Sequence, residues 1–272
     1  VSSTRPSQPA TAHARRADTL KVFITGASSG IGMALAQHYV GLGATLGLAA
    51  RRAEPLIALR QQYAGACETY ALDVRDAKAL AQAAADFMSK HGVPDIVIGN
   101  AGVSRGTLTA IKEDSTAFAA VMAINVQGLV HTFQPFIAAM QQAGQGQLVG
   151  IASVAGIRGL PGAGAYSASK AAAIAYLESL RIEMLPHGIA VTTIAPGYIR
   201  TPMTDVNTYP MPFLMDVDVA ASKFAQAIAA KKRFVVIPWQ MGWVARLLRI
   251  LPCWLWDGLM RRAPHKARID VE

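Results

Sequence analysis

The sequence predicts an α/β fold, a doubly wound parallel sheet of about seven strands with helices on both faces. Three observations carry that prediction. Short apolar runs of strand length alternate with longer segments of helical spacing, from residue 20 to about residue 237. The first run leads into a glycine-rich turn, Gly26-Ala-Ser-Ser-Gly-Ile-Gly32, that opens a helix. The polar residues left over by the pattern fall at the C-terminal ends of the runs, where sheets of this kind bind ligands.

Leu20–Thr25 reads as a buried strand, and the helix beyond its turn covers Met33–Leu42. Glycines let the chain turn tightly there and bring free N–H groups at the helix start to a phosphate; an ordinary tight turn is the plainer alternative. Ala44–Ala49 is the second strand, ending at Arg51-Arg52, with a helix over Glu54–Tyr63. Cys67–Leu72 is the third, closed by Asp73 and Val74, with a helix over Ala77–Lys90. Asp95–Gly99 is the fourth and ends in Asn100-Ala101-Gly102. A long helix over Thr116–Met140 contains Asn125. Gln147–Ala152 is the fifth strand, ending at Ser153, and the helix with Tyr166 and Lys170 runs to His187-Gly188. Ile189–Ala195 is the sixth, ending in Pro196-Gly197. A loop over Tyr198–Asp216, a helix over Val217–Ala230 and a seventh strand over Arg233–Ile237 complete the series.

Composition narrows the function. A chain of 272 residues with 52% hydrophobic residues and mean hydropathy +0.29 can bury a large core. Residues 1–18 are rich in Ser, Thr, Pro, Ala and Arg and read as a flexible tail without the apolar region of a secretory signal. No uninterrupted apolar stretch of transmembrane length is read from the sequence. The net charge of +9 gathers at the two ends, and no zinc-finger, RNA-recognition or basic-zipper pattern accompanies it, so nucleic acid is not an expected partner. Cys67 and Cys253 supply neither a disulfide framework nor a metal spacing; each is expected to be a small buried residue, no metal is expected, and a cytoplasmic location is the default.

The chemistry-bearing pair is Tyr166-Ser-Ala-Ser-Lys170. Four residues apart on a helix, a phenol and an ammonium share one face. A free tyrosine holds its proton to about pH 10, and a neighbouring cation favours the phenolate. That spacing alone is common on surface helices. Its company changes its weight, because the glycine turn, Asp73, Asn100, Ser153 and Pro196-Gly197 converge on one crevice in the predicted sheet.

With these residues in order, the sequence resembles the classical short-chain dehydrogenase/reductase family. The matching stretches are Thr25-Gly-Ala-Ser-Ser-Gly-Ile-Gly32, Asp73, Asn100-Ala-Gly102, Asn125, Ser153, Tyr166-x-x-x-Lys170 and Pro196-Gly-Tyr-Ile-Arg-Thr201. Gly99 departs from the pattern, standing where the family often has a second Asn. The resemblance implies a Rossmann-like catalytic domain over residues 19–238 and an NAD(P)-dependent oxidoreductase interconverting a carbonyl and an alcohol. It implies that Tyr166 exchanges the proton with the carbonyl oxygen, Lys170 lowers the Tyr pKa and holds the nicotinamide ribose, Ser153 hydrogen-bonds the substrate oxygen, and Asn125 anchors a proton-relaying water. It places the cofactor against Gly26, Ser28, Ser29, Gly30, Ile31, Gly32, Arg51, Arg52, Asp73, Val74, Asn100, Ala101, Gly102, Tyr166, Lys170, Pro196, Gly197, Ile199 and Thr201. Asp73 is expected at the adenine and Thr201 at the carboxamide. A homodimer or homotetramer paired through the helices of Asn125 and Tyr166 is also expected.

Three further expectations come from the residues themselves. The second strand ends without the acid that would favour NAD(H); Arg51 and Arg52 follow Ala50, so NADP(H) is preferred, with Arg51 the main contact and NAD(H) the alternative. The loop from Pro202 to Asp216, with Met203, Met211, Phe213, Leu214 and Met215, suits an apolar substrate, with a packed or disordered connection the alternative. Residues 239–272 form a basic extension holding all four Trp, with apolar and basic positions alternating from Gln240 to Arg262 around a break at Pro252. It fits either packing on the domain or a partner, or peripheral contact with a membrane. A reductase is the leading reading, and a non-catalytic NADP-binding sensor or scaffold is the alternative.

Overall fold

The computed structural model describes residues 19–261, 263, 266 and 268, so the predicted N-terminal tail lies outside the described residues. Seven strands, β1 (Lys21–Thr25), β2 (Thr45–Ala50), β3 (Cys67–Ala71), β4 (Ile96–Gly99), β5 (Gly146–Ile151), β6 (Ile189–Pro196) and β7 (Phe234–Ile237), form one sheet in the order β3-β2-β1-β4-β5-β6-β7. Every neighbouring pair is parallel. The order reverses between β1 and β4, and that switch point opens the crevice.

Helices α1 (Gly30–Gly41), α2 (Ala53–Gln62) and α8 (Val217–Ala229) cover one face; α3 (Ala77–His91), α5 (Gly128–Ala143) and α6 (Gly164–Met184) cover the other. The strand period of two divides the core: Val22 and Ile24 of β1 pack with Leu35, Leu56 and Phe224, while Phe23 between them packs with Phe87, Phe133 and Phe136. All of these side chains are buried.

Several boundaries differ from the sequence reading. The first helix begins at Gly30, because the last glycines of the turn already lie in its first turn. The expected long helix is α4 (Asp114–Met122) and α5, joined by a π turn over Ala123–Gln127 that contains Asn125. This run, Asp114–Ala143, is long and apolar enough to cross a membrane by length and composition. Its apolarity has another cause here, since Phe133, Phe136 and Met140 pack against the sheet. The expected loop after β6 contains a short helix, α7 (Pro202–Asp205), closed by a Thr201–Thr204 capping box. The extension forms α9 (Trp239–Ile250) and α10 (Cys253–Met260), separated at Pro252. Cys253, expected to be buried, is exposed because α10 buries none of its residues; Cys67 is buried.

Gly99 now has a physical reason. A Cβ there would lie 2.3 Å from Leu129 Cδ1 and 3.1 Å from Phe133 Cζ, so α5 seats against β4 only because position 99 lacks a side chain. Gly99→Asn should destabilise the protein by about 1–3 kcal/mol. Adding Leu129→Ala should return part of the lost melting temperature; thermal unfolding of the single and double variants tests this.

Candidate active site

The site begins where β1 ends. Gly26 adopts φ +70 and its amide donates to the Ala49 carbonyl at 2.8 Å, turning the chain away from the sheet. A Cβ on Gly26 would lie 2.7 Å from Ala101 Cα, and one on Gly32 would lie 2.2 Å from the Gly26 carbonyl oxygen. Asn100 fastens this junction. Its Nδ2 donates to the carbonyls of Thr25 (3.1 Å) and Gly26 (3.2 Å), and its own amide donates to Thr25 Oγ1. The N-terminus of α1 is thereby held facing the crevice, with its first amides free for an anion.

A cleft of about 520 Å³ opens beyond the strand ends. It is lined by Gly26, Ser28, Ser29, Gly30, Ile31, Arg51, Arg52, Asp73, Val74, Asn100, Ala101, Gly102, Ser153, Tyr166, Lys170, Pro196, Gly197, Ile199 and Thr201. Of the site residues expected from the sequence, Gly32 and Asn125 stand behind the wall. Gly32 supports the turn by its close approach to Gly26. The buried Asn125 accepts from the Val103 amide (2.8 Å) and donates to the Val103 carbonyl and Ser169 Oγ, each at 2.9 Å. Gly102 lies between Asn125 and Lys170: a Cβ there would sit 3.2 Å from Asn125 Oδ1 and 3.5 Å from Lys170 Nζ.

Lys170 is buried and its Nζ donates to the Ile151 carbonyl at 2.8 Å. Burial lowers its pKa to about 8, since a low-dielectric surrounding disfavours the ammonium. The Nζ lies 5.9 Å from the centre of the Tyr166 ring. The sequence reading expected Lys170 to lower the Tyr166 pKa. Here burial is the larger influence and raises it, while a hydrogen bond with Ser153 pulls it back. The phenol therefore keeps its proton through neutral pH. Ser153 caps the turn after β5 by accepting from the Ala155 amide at 3.1 Å.

Asp73 lines the cleft but is already paired. Arg75 Nη2 and Nε lie 2.6 and 3.0 Å from its Oδ2, and this pairing holds its carboxyl below the usual range, with a smaller contribution from the charge of Arg51. Arg52 Nη2 donates to Ser29 Oγ (2.9 Å) and Ser28 Oγ (3.3 Å), so this guanidinium is tied to the glycine turn. Of the methionines expected to line the substrate loop, Met203 faces the cleft, whereas Met215 packs on the core beneath α8. Phe213 points to solvent. The loop also brings Tyr209 near Tyr166: burial and the charges of Tyr198 and Tyr166 push its pKa to about 12.

Packing of the extension on the domain, one of the two expectations for it, is seen where the chain's end returns to this site, although its particular contacts were not read from the sequence. Arg268 Nη2 lies 2.9 Å from Oδ1 of the buried Asp114, and Arg105 Nε donates to the Arg268 carbonyl. Lys266 Nζ stands 5.7 Å from the centre of the Tyr166 ring. No local signal could announce contacts made across more than a hundred residues.

A doubly wound sheet with a glycine cradle at its switch point, a buried lysine and a tyrosine beside a serine defines a dinucleotide-binding oxidoreductase. The sequence pattern of the short chain dehydrogenase family matches residues 20–210, and the chain belongs to that family of NAD(P)-dependent oxidoreductases. It is 36% identical over 242 residues to an uncharacterized oxidoreductase of Myxococcus xanthus, covering 88% of this chain and 95% of that one. It is 35% identical over 272 residues to dehydrogenase/reductase SDR family member 7B of Bos taurus, covering 91% and 82%. The crystal structure of levodione reductase superposes with a TM-score of 0.73 at 26% identity, covering 80% of this chain and 95% of that one.

The residues present suit a nicotinamide dinucleotide. The Gly26–Gly32 turn packs tightly enough to seat the start of α1 at the cleft, where its amides suit a pyrophosphate, and Lys170 offers an ammonium in the same cleft.

Lys170 also sets a stability dependence. Its native pKa near 8 lies below the ordinary 10.5, so the unfolded chain binds more protons between these values and native stability rises as pH climbs through that window. Without cofactor, wild type should gain on Lys170→Met by an amount on the order of 3 kcal/mol from pH 8 to 10.5. Denaturant unfolding of both proteins across that range measures the gap; a flat difference would refute the shift.

Proposed function

We propose that the protein interconverts a carbonyl and an alcohol, prefers NADP(H) over NAD(H), and takes an apolar substrate. The observation that carries the reaction is the alignment of Ser153, Tyr166 and Lys170 along one wall of the cleft, with Lys170 Nζ held on the Ile151 carbonyl.

When bound, the nicotinamide cofactor supplies or accepts the hydride. Gly26, Ser28, Ser29, Gly30 and Ile31 would hold its pyrophosphate end, Asp73 and Val74 its adenine, and Asn100–Gly102, Pro196, Gly197, Ile199 and Thr201 its nicotinamide half. In reduction the Tyr166 hydroxyl gives its proton to the substrate oxygen, and in oxidation the phenolate takes it back. Ser153 donates to the same oxygen and steadies the charge that develops there. The Lys170 ammonium favours the phenolate that forms and bonds the ribose. Asn125, fixed by Val103 and Ser169, borders the gap at Gly102 through which a water can pass protons to Lys170.

Coenzyme preference rests on the end of β2. No acid stands there to meet a ribose hydroxyl, and Arg52 is tied to Ser28 and Ser29, which leaves Arg51 to pair a 2′-phosphate. Met203, Tyr198 and Tyr209 offer an apolar substrate their flanks. Assembly into a homodimer or homotetramer would use α4, α5 and α6, with Phe118 of α4 and Ile182 of α6 exposed.

Oxidation of NADPH and NADH with a panel of apolar and polar ketones and aldehydes tests the reading. Tyr166→Phe should lower kcat/KM by about 10²–10⁴-fold with NADPH binding kept. Binding without turnover on any substrate would favour the sensor instead. Arg51→Asp should weaken NADPH binding about tenfold or more and spare NADH; equal losses would discard the assignment of Arg51.

A further inference from the structure

We propose that α9 and α10 dock the protein on an anionic lipid surface. The proposal is independent of the substrate and begins from an inversion in α9. Its inner side is ordinary, with Met241 and Ala245 buried against the domain. Its outer side should be polar by the usual pattern of a surface helix. Instead Trp239, Trp243, Leu247 and Ile250 follow one another at spacings of four, four and three residues, which lays them along a single stripe. They are 68%, 63%, 57% and 78% exposed. Beyond Pro252, α10 exposes Trp254, Leu255 and Leu259 as well. Seven of the sixteen large apolar side chains exposed among the described residues thus fall within this short extension. A stripe and a concentration of exposed apolar side chains of this kind mark a docking surface rather than random exposure.

Charge identifies the occupant. Between residues 239 and 261 stand Arg246, Arg249 and Arg261 against the single acid Asp257. The Arg246 guanidinium lies 4.9 Å from the Trp243 ring centre, so cation and indole share one edge of the stripe. An indole carries an apolar body and an N–H donor, which suits the boundary between acyl chains and headgroups, and flanking arginines suit anionic headgroups. A second copy of this chain fits worse. A two-fold contact through the patch would set the three arginines of one copy against those of the other, with one acid each to offset them.

The surface is rigidly joined to the site. Arg158, just past Ser153 in the chain, donates from Nη1 to the carbonyls of Leu248 (3.0 Å) and Leu251 (2.8 Å), and its guanidinium lies 5.2 Å from the Trp256 ring centre. One side chain therefore closes the C-terminal end of α9 and grips α10. On the other side, a Cβ at Gly197 would lie 2.7 Å from Met241 Cγ, so α9 rests directly on the loop that borders the cleft. Docking through α9 and α10 would bring the mouth of the cleft close to the lipid.

The test is co-sedimentation of the full chain with phosphatidylcholine vesicles and with vesicles that also hold phosphatidylglycerol. Two variants are compared, Trp243→Ser/Ile250→Ser for the stripe and Arg246→Glu/Arg249→Glu for the charge. NADPH affinity and melting temperature verify the fold of each, and sedimentation velocity gives their mass. The expected result is binding of wild type to the anionic vesicles, at least about tenfold weaker in both variants, and little binding to the neutral vesicles. No binding to anionic vesicles, equal binding to neutral ones, or full binding by both folded variants would overturn the proposal. So would a wild type that ignores vesicles and loses mass when the stripe is substituted, which would assign the stripe to a second copy.

Discussion

Everything at the strand ends depends on three stretches of backbone approaching more closely than side chains permit. The turn after β1, the start of α1 and the end of β4 meet at Gly26, Gly32 and Asn100, within distances where a Cβ would collide with a carbonyl oxygen or an amide. Asn100 converts this proximity into a fixed joint by bonding two successive carbonyls of the turn. The joint orients α1 toward the crevice and keeps Ala101 and Gly102 against Lys170. Loss of either glycine would displace the helix start and the floor of the cleft together, because they share the same contact.

The second organising feature is a charge kept out of water. Lys170 is buried in the cleft wall with a main-chain carbonyl from β5 as its hydrogen-bond acceptor. A carbonyl dipole steadies an ammonium without neutralising it, so a positive field remains at the cleft. A carboxylate in that place would have cancelled the field. The tyrosine in turn is held protonated by burial more than its hydrogen bond with Ser153 lowers its pKa, which fits the proposed role of proton donor.

The succession of strands and helices and most residues on the cleft were legible because each is announced locally. A short apolar run marks β1, glycines mark the turn, and Tyr166 and Lys170 lie one helical turn apart. What escaped the sequence depends on distance and on context. The π turn around Asn125 follows from how α4 and α5 meet the sheet, and nothing in Ala123–Gln127 signals it. Arg51 and Arg52 look alike in the chain, yet one lines the cleft without a serine partner while the other is bonded to Ser28 and Ser29. Met203 and Met215 share a composition and part company, since one faces the cleft and the other the core. The Asp114–Arg268 pair joins residues far apart in the chain and is visible only once the chain is folded.

The placement of the tryptophans has a practical consequence. All four lie between residues 239 and 256, on α9 and α10, and the sheet core contains none. Intrinsic emission excited selectively in indole is therefore a reporter of the C-terminal extension. A melting curve followed by that signal would record the release of α9 and α10 and stay silent on the sheet, whereas far-ultraviolet dichroism would record the whole chain. Disagreement between the two midpoints would measure how far the extension unfolds as a separate unit, with no label introduced.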